Sequence, residues 1–408
     1  MKQIIKFFYS RTSYNISFFI AFSLVFLGFF LNYFTGTHKL VLDWPVNIIV
    51  LIVFVAIIVN LNIFSKNAIV AWLSSIPASI SAICTYSFLV FLMGLIPQNN
   101  PEASSILFKL GLTDIVSSWS FLLISFYLLT ILGFVIMKRL KKFNFRNSVF
   151  ILNHLGLWIT VTSALLGSSD VSKYQMSIAE GHKTNIVTND QSEMFQMPFD
   201  IQLIDFKIDE YIPNIILVNP NDGFIINDKK DKSFEIKENA VQILKNWEIK
   251  VLKYYENGIP KDSSYSPSNV EGAVPVAYIE AKLVGGNQKT LNGWITSGSK
   301  FIPQQILYIE KNIAIAMTIP TPKKFSSSVK IYDKTNVSDT KLIEVNKPLS
   351  VGNWKIYQIG YDAEKGKWSK ISTFEIVNDP WINGVYFGIG MLLIGSLLLF
   401  WVGKTKEL

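Results

Sequence analysis

Long apolar runs crowd both ends of the chain and leave its middle alone. Residues 15–34, 46–64, 75–96, 119–137, 148–168 and 382–402 are each close to the ~20 residues that carry an α-helix across a ~30 Å hydrocarbon core. Between 169 and 380 the period shortens to two: FDIQLIDFKIDEY (199–211), AVQILKNWEIKVLKYY (240–255), VPVAYIEAKLV (274–284) and KWSKISTFEIV (367–377) alternate apolar with polar residues. They are rich in β-branched and aromatic side chains, which predicts strands. Asn219-Pro220-Asn221-Asp222-Gly223, Asn257-Gly258 and Gly285-Gly286 are turn signals that would separate them.

The predicted fold class is a polytopic α-helical membrane protein with about six transmembrane helices and a large, mostly-β extracytoplasmic domain. The expected divisions are an N-terminal transmembrane hairpin (1–66), a three-helix membrane core (67–168), the β-rich domain (169–380), and a last helix with a short tail (381–408). Lys2, Lys6 and Arg11 ahead of the first run have the charge pattern of a signal peptide. The run is long enough to span a bilayer and no small-residue cleavage site follows, so it is expected to be a retained helix.

Charge orients this frame. Lys66, the cluster Lys138, Arg139, Lys141, Lys142 and Arg146, and Lys404 with Lys406 all fall on the side of the N-terminus, which the positive-inside rule makes the cytoplasm. Both termini are then cytoplasmic and 169–380 lies outside, with Trp44, Trp119 and Trp381 at the outer span edges. The net charge of +8 is explained by this orientation and calls for no nucleic-acid partner. The single cysteine, Cys84, forbids an intrachain disulfide and reads as a small buried hydrophobe.

The three histidines are His38 in the first outer loop, His154 inside the fifth span, and His182 just beyond that span. His38 and His182 read as solvated loop residues. His154 lies about two turns into the membrane, where an ionisable group is costly and marks a functional site. Two readings stay open: a neutral imidazole hydrogen-bonded to a neighbouring helix, or an axial ligand to haem iron. On a helix His154 shares a face with Trp158, Val161 and Leu165. Gly156, Thr160, Ser163 and Gly167 fall opposite, a small-residue face suited to close packing on another helix of this chain. The bulky face carrying His154 and Trp158 is the one expected to meet a porphyrin or a partner subunit. A second axial ligand would come from another polypeptide, or from a weaker donor such as Met137. No phosphate-binding glycine loop, nucleophile elbow, zinc spacing or intramembrane charge pair is present, which speaks against hydrolysis, phosphoryl transfer and ion-coupled transport.

From the third span onward the chain resembles the ResB family of system II cytochrome c biogenesis (the CcsB-type subunit). The resemblance rests on Leu95-Ile96-Pro97-Gln98, Gly111-Leu112-Thr113-Asp114, Ser118-Trp119-Ser120-Phe121 and Asn153-His154-Leu155-Gly156. It continues through Met197-Pro198-Phe199, Leu203-Ile204-Asp205-Phe206 and Asn378-Asp379-Pro380-Trp381, with Gly388 and Gly395 in the last helix. It implies a multi-pass protein of the bacterial cytoplasmic membrane that pairs with a CcsA-type membrane subunit. Together they would carry haem b outward and attach it to apocytochrome c, as parts of a haem-lyase complex in which this chain is not a catalyst alone. The family's intramembrane haem-ligand histidine falls on His154. Residues 1–66 precede the part that resembles the family, and the tryptophan-rich segment of the CcsA half is missing: the ten tryptophans here are dispersed. The reading from a different class is a membrane-anchored scaffold whose β domain binds an envelope protein.

Overall fold

A computed structural model describes residues 11–37, 42–64, 68–98, 105–141, 144–226, 233–285, 290–333 and 337–404. Lys2, Lys6, His38, Lys66, Lys142, Gly286 and Lys406, all singled out above, lie outside the described residues. The chain divides into two compact units, one drawn from Met1–Ser172 and Asp379–Leu408, the other from Lys173–Asn378.

The first unit is helical: α1 (Arg11–Thr35), α2 (Val46–Phe64), α3 (Ala68–Leu73), α4 (Ile76–Leu95), α5 (Ser105–Lys109), α6 (Trp119–Leu140), α7 (Phe145–Gly167) and α8 (Ile382–Lys404). Six of them, all but the short α3 and α5, are long and apolar enough to cross a membrane, so the protein is membrane-embedded. Their starts are written in the sequence: Ser118 accepts a hydrogen bond from the Phe121 N–H (3.1 Å) and Asn144 from the Asn147 N–H (2.9 Å), each satisfying a first-turn donor.

Helix α6 is the hub. Its Phe121, Ile124, Leu128, Ile131 and Leu132 are buried together with Ala21 and Val25 of α1 and Ala78, Ala82 and Leu89 of α4. Where α1 crosses, a Cβ on Gly28 would run into the Ser120 backbone, and the Ser120 hydroxyl donates to the Val25 carbonyl at 3.0 Å. Helix α2 packs elsewhere on α6, with Phe54 edge-on to Phe126 and Ile58 filling the space beside Gly133. The N-terminal hairpin, whose contacts the sequence left open, is therefore joined to α6 through both of its helices.

Helix α8 packs on α7. A Cβ on Gly156 would lie 2.5 Å from the Leu392 nitrogen and 2.7 Å from the Gly388 carbonyl oxygen, one on Gly384 would lie 2.7 Å from the Ser163 hydroxyl, and one on Gly388 would strike Thr160. The small-residue face of α7 thus meets the glycine face of α8 at backbone contact, as small residues allow in a medium with no hydrophobic drive between helices. Asn153 secures the far end of the seam, donating to the Leu392 carbonyl (3.1 Å) and to Ser396 (2.7 Å).

The second unit holds seventeen strands in three antiparallel sheets among the described residues. The eight-stranded sheet runs in the order β14 (Lys341–Glu344), β13 (Pro322–Tyr332), β3 (Met194–Glu210), β2 (Lys183–Thr188), β1 (Ser172–Ala179), β17 (Ile371–Asn378), β16 (Trp354–Tyr361), β15 (Leu349–Val351). Its inward residues, Ile201, Leu203, Val329, Ile356 and Phe374 among them, form one core. A four-stranded sheet built on β4 (Asn214–Val218) and β12 (Ile313–Met317) shares a second core with a sheet built on β7 (Trp247–Lys261) and β9 (Val274–Leu283). Two smaller clusters, around Val218, Ala314 and Ala316 and around Val274, Val276 and Ile302, lie beside these two larger cores.

Three readings are corrected here. AVQILKNWEIKVLKYY is a hairpin, not one strand: β6 (Val241–Leu244) turns through Lys245, at φ 56°, into β7. Asn257-Gly258 does not end a strand but lies within β7 at a bulge, where Val276 crowds Gly258. Cys84 is exposed on the outer face of α4 and not buried.

Candidate functional site

His154 sits near the middle of α7 and is half-buried. Its ring stacks on Phe150 one turn earlier, with centroids 3.7 Å apart and planes 19° from parallel. Nδ1 lies 2.9 Å from the Phe150 carbonyl oxygen. A carbonyl only accepts, so Nδ1 carries the proton and Nε2 holds the lone pair. No described residue donates a hydrogen bond to Nε2. An imidazole held through Nδ1–H with Nε2 open is the arrangement of a metal-ligating histidine, whose second nitrogen is fixed by a carbonyl or carboxylate.

Arg139, at the basic end of α6, completes the surroundings. Its guanidinium lies 4.7 Å from the Phe150 ring centroid and donates to Asn147 Oδ1 at 3.2 Å. The basic cluster read only for orientation therefore also touches the site, and the chain spacing of 139, 150 and 154 gave no sign of it. Other cations at this end close helix C-termini: Lys138 donates to the Ser74 carbonyl (3.1 Å) and Lys141 to that of Asn62 (3.0 Å).

Trp158 is turned into the bundle. Its Nε1–H donates to the Leu129 carbonyl of α6 at 3.1 Å, and its ring packs against the core that α1, α4 and α6 share. Of the face expected to meet a cofactor, His154 keeps partial exposure while Trp158 forms the wall between α6 and α7. His182 is exposed at the turn joining β1 and β2, its Nδ1 3.2 Å from the Glu180 carbonyl.

A second polar constellation, which the sequence reading missed, lies at the opposite end of α7. Asp170 accepts at Oδ1 from the Trp44 N–H (2.9 Å), and at Oδ2 from Asn47 Nδ2 (2.8 Å) and Trp381 Nε1 (2.7 Å). Asn47 also donates to the Leu166 carbonyl (3.2 Å). One carboxylate thus ties together the start of α2, the end of α7 and the start of α8. Burial alone would raise its pKa, but the three hydrogen bonds outweigh that and hold it below the usual aspartate value. The signal available in sequence was a lone acid directly after an apolar run; its partners are more than a hundred residues away in either direction.

The motifs behind the family resemblance are largely loop and helix-end fasteners. Gln98 donates to the Ile96 (2.7 Å) and Leu112 (3.2 Å) carbonyls and accepts from the Ile115 N–H (3.0 Å), closing the loop between α4 and α6. Asn32 of α1 donates to the Leu110 carbonyl and accepts from the Trp119 N–H, both at 3.0 Å.

Compared with known families, residues 296–371 match the model of the ResB-like family, a stretch that lies within the β unit and does not reach α7. No curated protein matches the chain.

Proposed function

Taking the match to the ResB-like family as premise, a family associated with cytochrome c biogenesis, we propose that this chain is the haem-handling subunit of a system II cytochrome c biogenesis complex. The observation that carries the reading is the state of His154, with Nδ1 tied to its own helix and Nε2 open at a half-buried position on α7. Haem b is cargo here, and His154 supplies one axial ligand to its iron during passage. Phe150 holds the imidazole plane by stacking, and Trp158, one turn further along α7, ties that helix to α6. No second histidine stands on these helices, and in this reading a CcsA-type partner subunit, in preference to the weaker donor Met137, supplies the other ligand. The termini lie in the bacterial cytoplasm, and the β domain, outside, presents apocytochrome c.

A test is cytochrome c maturation in cells carrying His154→Ala, with the amount of membrane-inserted protein measured in parallel. The reading predicts loss of maturation at normal protein level. A second reading draws support from the confinement of the family match to the β unit: a membrane-anchored scaffold that binds an envelope protein through that unit. It predicts maturation unchanged by His154→Ala.

A further inference from the structure

The Asp170 constellation also forms one side of a cleft of about 450 Å³, lined by Trp44, Ile48, Asp170, Pro380 and Trp381. That volume is within the ~300–1,000 Å³ typical of small-molecule sites. Its walls are two indoles, an isoleucine and a proline, and among the described residues that line it the carboxylate is the only charge. A carboxylate has about four acceptor positions, and the three internal hydrogen bonds leave one on Oδ1. The Trp44 ring takes no part in those bonds, since only its backbone N–H does, and it remains 69% exposed.

An anion beside two indoles selects a cation. An ammonium group gains both the Coulomb attraction of the carboxylate and the quadrupole attraction of the rings. A group that is only anionic, such as a haem propionate or the headgroup of phosphatidylglycerol, would meet like charge with no ammonium to offset it. The source of the ammonium follows from where the cleft lies. It opens where α2 and α8 begin and α7 ends, the height at which headgroups and interfacial tryptophans sit. Directly along α2 from Ile48, the residues Ile49, Ile52 and Val53 are exposed and apolar, a track for acyl chains.

We propose that this cleft binds the ammonium headgroup of phosphatidylethanolamine, seated between Trp44, Trp381 and Asp170. The site makes lipid a bound component at the junction of the N-terminal hairpin with α7 and α8. It is independent of haem ligation at His154.

Native mass spectrometry of the full-length protein in detergent tests this, with phosphatidylethanolamine and phosphatidylglycerol of matched acyl chains supplied together. Wild type is expected to retain phosphatidylethanolamine roughly tenfold over phosphatidylglycerol. Trp44→Leu, which leaves the backbone hydrogen bond to Asp170 in place, should lower that preference roughly twofold to fivefold, the worth of one exposed cation–π contact. Asp170→Asn should abolish the preference, with its melting temperature followed because the same group joins three helices. Equal retention of the two lipids by wild type, or an undiminished preference in Trp44→Leu, would overturn the proposal.

Discussion

Asn32, buried in α1, holds two backbone groups of a distant loop with its one amide. Replacing it by alanine leaves the Leu110 carbonyl and the Trp119 N–H without those partners, which costs about 1–3 kcal/mol for a buried group. Thermal unfolding in detergent should show Asn32→Ala melting several degrees below wild type. Asp170 makes a pH-dependent contribution of known sign. Its folded pKa is depressed, so the stability it adds is fully present above the ordinary aspartate value of ~3.9 and is lost as pH falls through the lower folded value. The gap in melting temperature between wild type and Asp170→Asn should be constant from neutral pH to about pH 5 and close in more acidic buffer. Neither fastener was legible in sequence, because each works through partners remote along the chain. His154 was legible, because an imidazole in the middle of an apolar run stands out whatever its partners are.

Among the elements, the seam between α7 and α8 gives the sharpest contrast. Gly156 has the Leu392 and Gly388 backbones against it, whereas no described residue lies within 4 Å of a Cβ on Gly390. Gly156→Leu must push two helices apart and should destabilise the protein by about 1–3 kcal/mol or more. Gly390→Leu should change stability by less than about 0.5 kcal/mol. Chemical denaturation of the two variants in matched micelles would separate them. The period of the small residues showed that α7 would pack closely on another helix. It could not show that the partner is α8, more than two hundred residues later. The strand patterns had a matching limit. Alternation runs on through the tight turn at Lys245, so β6 and β7 read as one strand, and Asn257-Gly258 looks like a turn although it marks a bulge in a continuing strand.

At the scale of the whole molecule, apolar length and period two were enough to recover the fold class of membrane helices with an inserted β domain, because each signal is local and repeated. What lay beyond local pattern was the joining: α1 and α2 on α6, and the division of the β unit's interior into two larger cores with smaller clusters beside them. The hairpin formed by residues 1–66 precedes the part of the sequence that resembles the ResB family. Yet α1 fills the same core as α4 and α6, so it belongs to the bundle that holds His154. The central claim, that His154 ligates haem in transit, is tested most directly by the visible absorption spectrum of the detergent-purified full chain co-expressed with a CcsA-type subunit. Wild type and His154→Ala would be compared at equal protein concentration. A Soret band present in wild type and clearly weakened or shifted in the variant is the predicted result. The same Soret band in both would contradict it.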